Sequence, residues 1–335
     1  MIEFPWAEPP ETGASEAVAP GIRWVRMPLP FRLDHVNCWL LGEGDTAVLI
    51  DTGLGTRSTR KVWQALFRAQ MPGQLLVTHF HPDHMGLAGW FHEQGLSLLG
   101  SAVETDIARE IWAIEDEQYG RYYADWYQRN GLPDDAVTAV KALGNSYRKG
   151  VHEPPPADIW EHLDEDASVN LGGIEFTVLN GRGHAPAMLM LYSAKLKLLI
   201  AADQVLPSIT PNVSLMLNAR DPDPLSSFLQ CCRSLKDLPI DTLVLPSHGL
   251  PFRGLHERLD ALINHHDKRL AEVRLACQSA KTPYALFDLL FGRKLDAQQM
   301  SFALGESLAH LVHLESKGEL ERLEEDGLLL FQQVS

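Results

Sequence analysis

Residues 74–84 read QLLVTHFHPDH: an apolar run ends at Thr78, and four metal-capable side chains, His79, His81, Asp83 and His84, follow within six positions. An apolar run of this length that stops at a polar residue predicts a buried strand leading into a loop. Along extended backbone, residues 79 and 81 project to the same side. Asp83 and His84 then fall in the next turn or first helical turn and face a second point nearby, with a helix expected just after His84. Zinc takes imidazole nitrogen and carboxylate oxygen, and a catalytic zinc keeps one position open for water. One loop can therefore supply half the donors of two adjacent ions.

The other donors must come from elsewhere, and three residues have matching settings. His184 follows Gly183 in a turn between strand signals, Asp203 closes KLLIAAD (197–203), and His248 lies near the end of DTLVLPSHG (241–249). Functional groups collect at strand ends because a rigid sheet fixes the reach of each loop. A carboxylate that closes a buried strand needs a strong partner, and a metal provides one.

Around these segments the pattern alternates. A Pro- and Glu-rich lead-in (1–20), expected to be irregular, precedes β-like runs at 22–29, 36–43 and 46–53 and a helix at 57–70. Residues from about 101 to 156 read as a helical insertion crowded with aromatics, among them Tyr119, Tyr122 and Tyr123. Strand signals return at 174–180 and 187–193, with helices at 223–236 and 254–280. From Thr282 onward come helix signals and then GELERLEEDGLLLFQ, which reads as a small hairpin closing a helical module. Alternating strands and helices predict a layered α/β domain.

The order His79-x-His81-x-Asp83-His84, Gly183-His184, Ala202-Asp203, His248-Gly249 resembles that of metallo-β-lactamase-fold hydrolases, over roughly residues 20–280. The resemblance implies a four-layer αββα sandwich. It implies one metal on His79, His81 and His184, a second on Asp83, His84 and His248, and Asp203 bridging them. Asp51, in an Asp-Thr-Gly turn, matches the family's supporting aspartate, which steadies the ligand loop without binding metal. The tail, with ALGESLAHLVHLESKGELERL (303–323), looks like the winged-helix appendage of the branch related to the β-lactamase-like protein 2 group. This divides the chain into a lead-in (1–20), a catalytic domain (21–280) and a C-terminal module (281–335). The glyoxalase II group shares the metal motif, but its glutathione-gripping basic residues have no counterpart that can be placed here, so that specificity is not carried over.

With 29 basic and 44 acidic residues the formal charge is −15. The tail from Thr282 carries four basic and nine acidic residues. A nucleic-acid reader needs cations to neutralise phosphate, so nucleic acid is disfavoured as a partner, and packing or a homodimer contact is the tail's expected role. There is no signal-peptide pattern and no apolar run long enough to span a bilayer, so a cytoplasmic setting is expected and no membrane partner. Cys38, Cys231, Cys232 and Cys277 show no paired spacing and read as free thiols. His265, His266, His310 and His313 read as solvated or capping histidines.

The expected cofactors are two divalent ions, zinc first, with iron or manganese as alternatives. A water acidified between them, balanced by Asp203 and oriented by Asp83, would attack a small acyl substrate: a thioester, ester or lactone. Substrate contacts are sought at Tyr119, Tyr122, Tyr123 and Asn212. The alternatives are a metal-dependent ribonuclease or phosphodiesterase, a mononuclear iron oxygenase, and a non-catalytic scaffold on the same fold.

Overall fold

The computed structural model describes residues 1–334. Two sheets form its centre. The first has seven strands in sequential order: β1 (Ser15–Ala19), β2 (Ile22–Pro28), β3 (His35–Leu41), β4 (Val48–Ile50), β5 (Gln74–Leu76), β6 (Ser97–Gly100) and β7 (Trp160–His162). The second places β12 (Leu243–Pro246) beside β11 (Leu198–Ala202), then β10 (Met188–Ser193), β9 (Ile174–Gly181) and β8 (Ser168–Leu171).

Strand alternation explains why the sheets stack. Val48 and Ile50 of β4 enter the core between the sheets, whereas Leu49 packs toward helices. In β11, Leu198 and Ile200 join the inter-sheet core while Leu199 and Ala201 face the opposite helical layer. Because side chains alternate faces along a strand, such all-apolar runs are stable only where both faces are covered. The covering layer on the first sheet includes α1 (Arg57–Leu66), α2 (Pro82–Met85), α3 (Ala88–Glu93) and α4 (Ala102–Ala113). Helices α5 (Asp116–Arg129), α6 (Asp134–Leu143) and α7 (Ser146–Gly150) complete the insertion. The second sheet is covered by α8 (Pro224–Ser234) and α9 (Leu255–Ala276). The result is the expected αββα sandwich.

Three expectations change. The lead-in is not wholly irregular: β1 pairs antiparallel with β2, whose edge would otherwise be open, and Glu3 forms an isolated bridge with Arg253. The helix expected after His84 is present at Ala88–Glu93, but a short helical turn already starts at Pro82, a residue suited to the first helical position because its missing N–H has no partner there anyway. His266, His310 and His313 are not solvated but 1%, 0% and 4% exposed, since α9 and the C-terminal module cover one another.

That module comprises α10 (Phe287–Phe291), α11 (Ala297–Ser316) and a hairpin of β13 (Leu320–Glu325) and β14 (Leu328–Gln333). Asp296 and Gln299 form a reciprocal cap that starts α11. Its Leu304, Leu308, Leu311 and Phe331 belong to one continuous core with Tyr127 and Val137 of the insertion and Phe228 and Leu259 of α8 and α9. Each such side chain contributes roughly 1.5–3 kcal/mol by burial, so the module is locked to the sandwich. Cys38, Cys232 and Cys277 are buried free thiols, and Cys231 is partly buried. No helix among the described residues is long and apolar enough to cross a membrane.

Candidate metal centre

The sandwich brings five chain segments to one edge. Asp51 follows β4, the 78–84 loop follows β5, His184 follows β9, Asp203 follows β11 and His248 follows β12. Backbone hydrogen bonds tie the two sheets together at this edge: Leu189 N donates to Thr78 O at 2.9 Å and Asn37 N to Ser247 O at 2.6 Å.

Local strain aims the acids. Asp51 and Ala202, neither a glycine, have φ of 62° and 45°, a region that costs a non-glycine residue on the order of 1–3 kcal/mol. At Ala202 the parallel β11–β12 register also slips by one residue, a bulge that turns Asp203 off the strand. Gly183, beside His184, has φ of 92°, and a Cβ there would sit 2.4 Å from Phe228 Cβ and Pro224 O. Only glycine fits that turn.

The seven expected donors converge. His79, His81 and His184 form one group, Asp83, His84 and His248 a second, and His79, His84 and Asp203 a third, with the ligand atoms of each within 4.8 Å of one another. Asp203 stands between: Oδ2 is 3.4 Å from His184 Nε2 and 3.7 Å from His84 Nε2, and Oδ1 is 3.4 Å from His248 Nε2. His79 Nε2 lies 3.1 Å from His81 Nδ1.

Four of the five rings, all but His81, are oriented from behind. His184 Nδ1 donates to Asn212 O at 2.8 Å, and His248 Nδ1 to His35 O at 2.7 Å. A carbonyl can only accept, so these rings carry their proton on Nδ1 and turn an Nε2 lone pair inward. His84 Nδ1 meets Asp51 Oδ2 at 2.8 Å. Thr78 Oγ1 donates to Asp51 Oδ2 at 2.8 Å and lies 3.0 Å from His79 Nδ1. Rings held in one tautomer by an outer hydrogen bond are characteristic of metal ligands.

A cation fits this donor set. His84 Nε2, His184 Nε2 and Asp203 Oδ1 are buried without a hydrogen-bond partner, a costly state unless something binds them. Burial works against a charged His248 ring, yet Asp203 and Asp83 outweigh it and push it up to about 10. The carboxylate field that would hold a proton there would also hold a metal.

Several supporting residues escaped sequence reasoning. Glu104 is buried on α4, and its two oxygens accept from Phe80 N at 3.2 Å and Ala187 N at 2.7 Å. Tyr147 of α7 donates its hydroxyl to Phe80 O at 2.7 Å. The insertion thus grips the ligand loop at Phe80, in addition to any covering role. Asn37 Nδ2 donates to Pro246 O and Gly249 O at 2.9 and 2.8 Å, bracing the His248 turn. His35 Nε2 accepts from Gly249 N at 2.8 Å.

The tyrosines separate. Tyr119 and Tyr123 stack at 4.3 Å within the packing of the insertion. Burial pushes the Tyr119 hydroxyl up to about 12. Tyr122 is 50% exposed and donates to Asn218 Oδ1 at 3.0 Å. The Asn212 side chain is spoken for within the protein, donating to Glu306 and accepting from Ser214. A cavity of about 540 Å³ lies apart from the seven donors, lined by Trp126, Leu215, Leu217, Leu308, Val312 and Leu329.

Comparison with known proteins gives the same outline. Residues 31–248 match the family model of the metallo-beta-lactamase superfamily, and residues 270–334 match the metallo-beta-lactamase-like C-terminal domain. The crystal structure of a beta-lactamase domain protein from Burkholderia ambifaria superposes with a TM-score of 0.91 at 37% identity, covering 99% of this chain and 98% of that one. A probable metallo-hydrolase of Bacillus subtilis, YqjP, is 24% identical over 92% of this chain and 96% of its own length. The acyl-coenzyme A thioesterase MBLAC2 of Gallus gallus is 24% identical over 76% of this chain and 86% of its own.

Proposed function

Since this chain belongs to the metallo-beta-lactamase superfamily, we propose that it is a binuclear metallohydrolase that cleaves a small acyl substrate, a thioester, ester or lactone. The observation that carries the metal part is the pair of donor groups joined by a third, His79, His84 and Asp203, with inward atoms of His84, His184 and Asp203 left unpartnered. His79, His81 and His184 would hold one ion, and Asp83, His84 and His248 the other, with Asp203 between them. Nitrogen and carboxylate donors suit zinc, and iron or manganese are the other ions this set accepts.

Bound in this way, two divalent ions acidify a water toward neutral pKa and polarise an acyl oxygen. The chain's own residues do the rest. Asp83, with a side chain 21% exposed against 9% for Asp203, would accept a hydrogen bond from the attacking water. Asp203 keeps charge balance at the centre of the group. Asp51 keeps the 78–84 loop in place. Tyr122 is the member of the tyrosine trio open to a substrate.

The acyl class rests on electrostatics and on one relative. A net charge of −15, with −5 in the tail, repels polyanions, and phosphate contacts supply most non-specific nucleic-acid affinity. A small acyl compound meets no such barrier. The relative MBLAC2 is an acyl-coenzyme A thioesterase, and thioester cleavage is proposed here on a neutral or singly charged acyl compound, since the phosphates of coenzyme A would meet the same repulsion as RNA. The test is metal analysis of protein purified without chelator, followed by a panel of thioesters, lactones, phosphodiesters and single-stranded RNA. Near two ions per chain and metal-dependent acyl hydrolysis are expected. Metal-dependent RNA cleavage without acyl hydrolysis would overturn the substrate class.

A further inference from the structure

His184 is oriented by a carbonyl that no regular element holds. Its Nδ1 donates to Asn212 O, yet residues 203–223, between β11 and α8, contain neither helix nor strand. What holds Asn212 is one turn of α11, in the C-terminal module. Asn212 Nδ2 donates to Glu306 Oε2 at 3.2 Å, 94 positions away. Ser214 Oγ sits 2.6 Å from Asn212 Oδ1 and 3.3 Å from Phe302 O. Leu215 N donates to Gly305 O at 2.9 Å. A Cβ on Gly305 would lie 2.7 Å from Ser214 Cβ and 3.0 Å from Met216 Sδ, so this strap lies flush on α11 because residue 305 has no side chain.

We propose that Glu306 is a positioning residue of the metal centre. It fixes the Asn212 side chain, the strap fixes the Asn212 carbonyl, and the carbonyl fixes the imidazole of His184. The C-terminal module thereby tunes one of the two ion sites, the one formed by His79, His81 and His184. The site of Asp83, His84 and His248 is braced instead by Asp51 and His35, which α11 does not touch through this strap. The inference rests on reading His184 as a ligand, and outer hydrogen bonds of this kind are worth about 10–100-fold in metal affinity.

Chelator competition on the full-length chain resolves the two zinc affinities in wild type, Glu306→Ala, Asn212→Ala, the double variant and Glu306→Gln. Glu306→Ala and Asn212→Ala should each weaken one ion about 10-fold or more and leave the other unchanged. The double variant should be no worse than the worse single one, since both act through one contact. Glu306→Gln keeps an acceptor for Asn212 and should restore most of the affinity. A purely structural role would lower melting temperature without separating the two affinities. Unchanged affinities in both single variants, or equal weakening of both ions, would overturn the inference while leaving the metallohydrolase reading intact. A wild-type chain that takes up no ion would overturn both.

Discussion

Asp51 Oδ2 lies 2.8 Å from His84 Nδ1, while Oδ1 of the same carboxylate takes the Thr78 amide, also at 2.8 Å. One buried acid thus holds both ends of the 78–84 loop, and its own backbone is strained at φ 62°. It reaches the metal site through the donor His84 and through Thr78, the neighbour of His79.

Asp51→Ala should therefore lower stability and metal retention together. Two buried donors of Thr78 and one of His84 lose their acceptor, at about 1–3 kcal/mol for each donor left unpaired. Urea unfolding and metal content after dialysis check this. Full metal content and wild-type stability in the variant would show that the loop is held by something else.

Asp203→Ala removes the group proposed to serve both sites. Metal content should fall from near two ions per chain to one or fewer, and turnover should vanish. Elemental analysis and the acyl panel read both. A single tightly held iron, unaffected by Asp83→Ala and His248→Ala, would instead favour a mononuclear centre.

Glu104→Gln keeps the shape of the side chain but exchanges one acceptor oxygen for a donor. Either Phe80 N or Ala187 N then faces an N–H, at a cost of about 1–3 kcal/mol. Because Phe80 lies between His79 and His81, metal should also dissociate faster. Stopped-flow chelation and thermal unfolding test the pair of effects, and a variant indistinguishable from wild type in both would remove Glu104 from the ligand loop's support.

Acid should weaken the fold through histidines remote from the metal. Burial, then the nearby His310, His265 and His313 rings, lowers His266 from 6.5 to about 3, and burial lowers His310 to about 4. In the folded chain both stay neutral where the unfolded chain takes up protons. Stability is therefore complete above about pH 6.5 and is lost as pH falls toward 4, by up to about 1.4 kcal/mol per pH unit for each proton. Unfolding of chelator-treated protein between pH 7 and 5 should show a shallower loss in His266→Asn than in wild type. Superimposable slopes would refute it.

The two-faced strands and the seven candidate donors were legible in the amino-acid order. Both are local signals: an apolar run records that a strand is covered on both sides, and metal-capable side chains at the ends of such runs record where loops leave the sheet. The order of those runs also carried the family resemblance. Apart from Asp51, which the resemblance implied, the residues that stand behind the donors emerged only with the folded chain. Glu104 and Tyr147 act on Phe80 from 24 and 67 positions away, and Asn37 acts on Pro246 from 209. Their targets are backbone atoms, present at every residue, so no sequence pattern marks the pairing. The same reason governs His266, His310 and Glu306. A helix face is wet or buried according to which element packs on it, and α11 meets α9 and the Asn212 strap across 44 and 94 positions of chain.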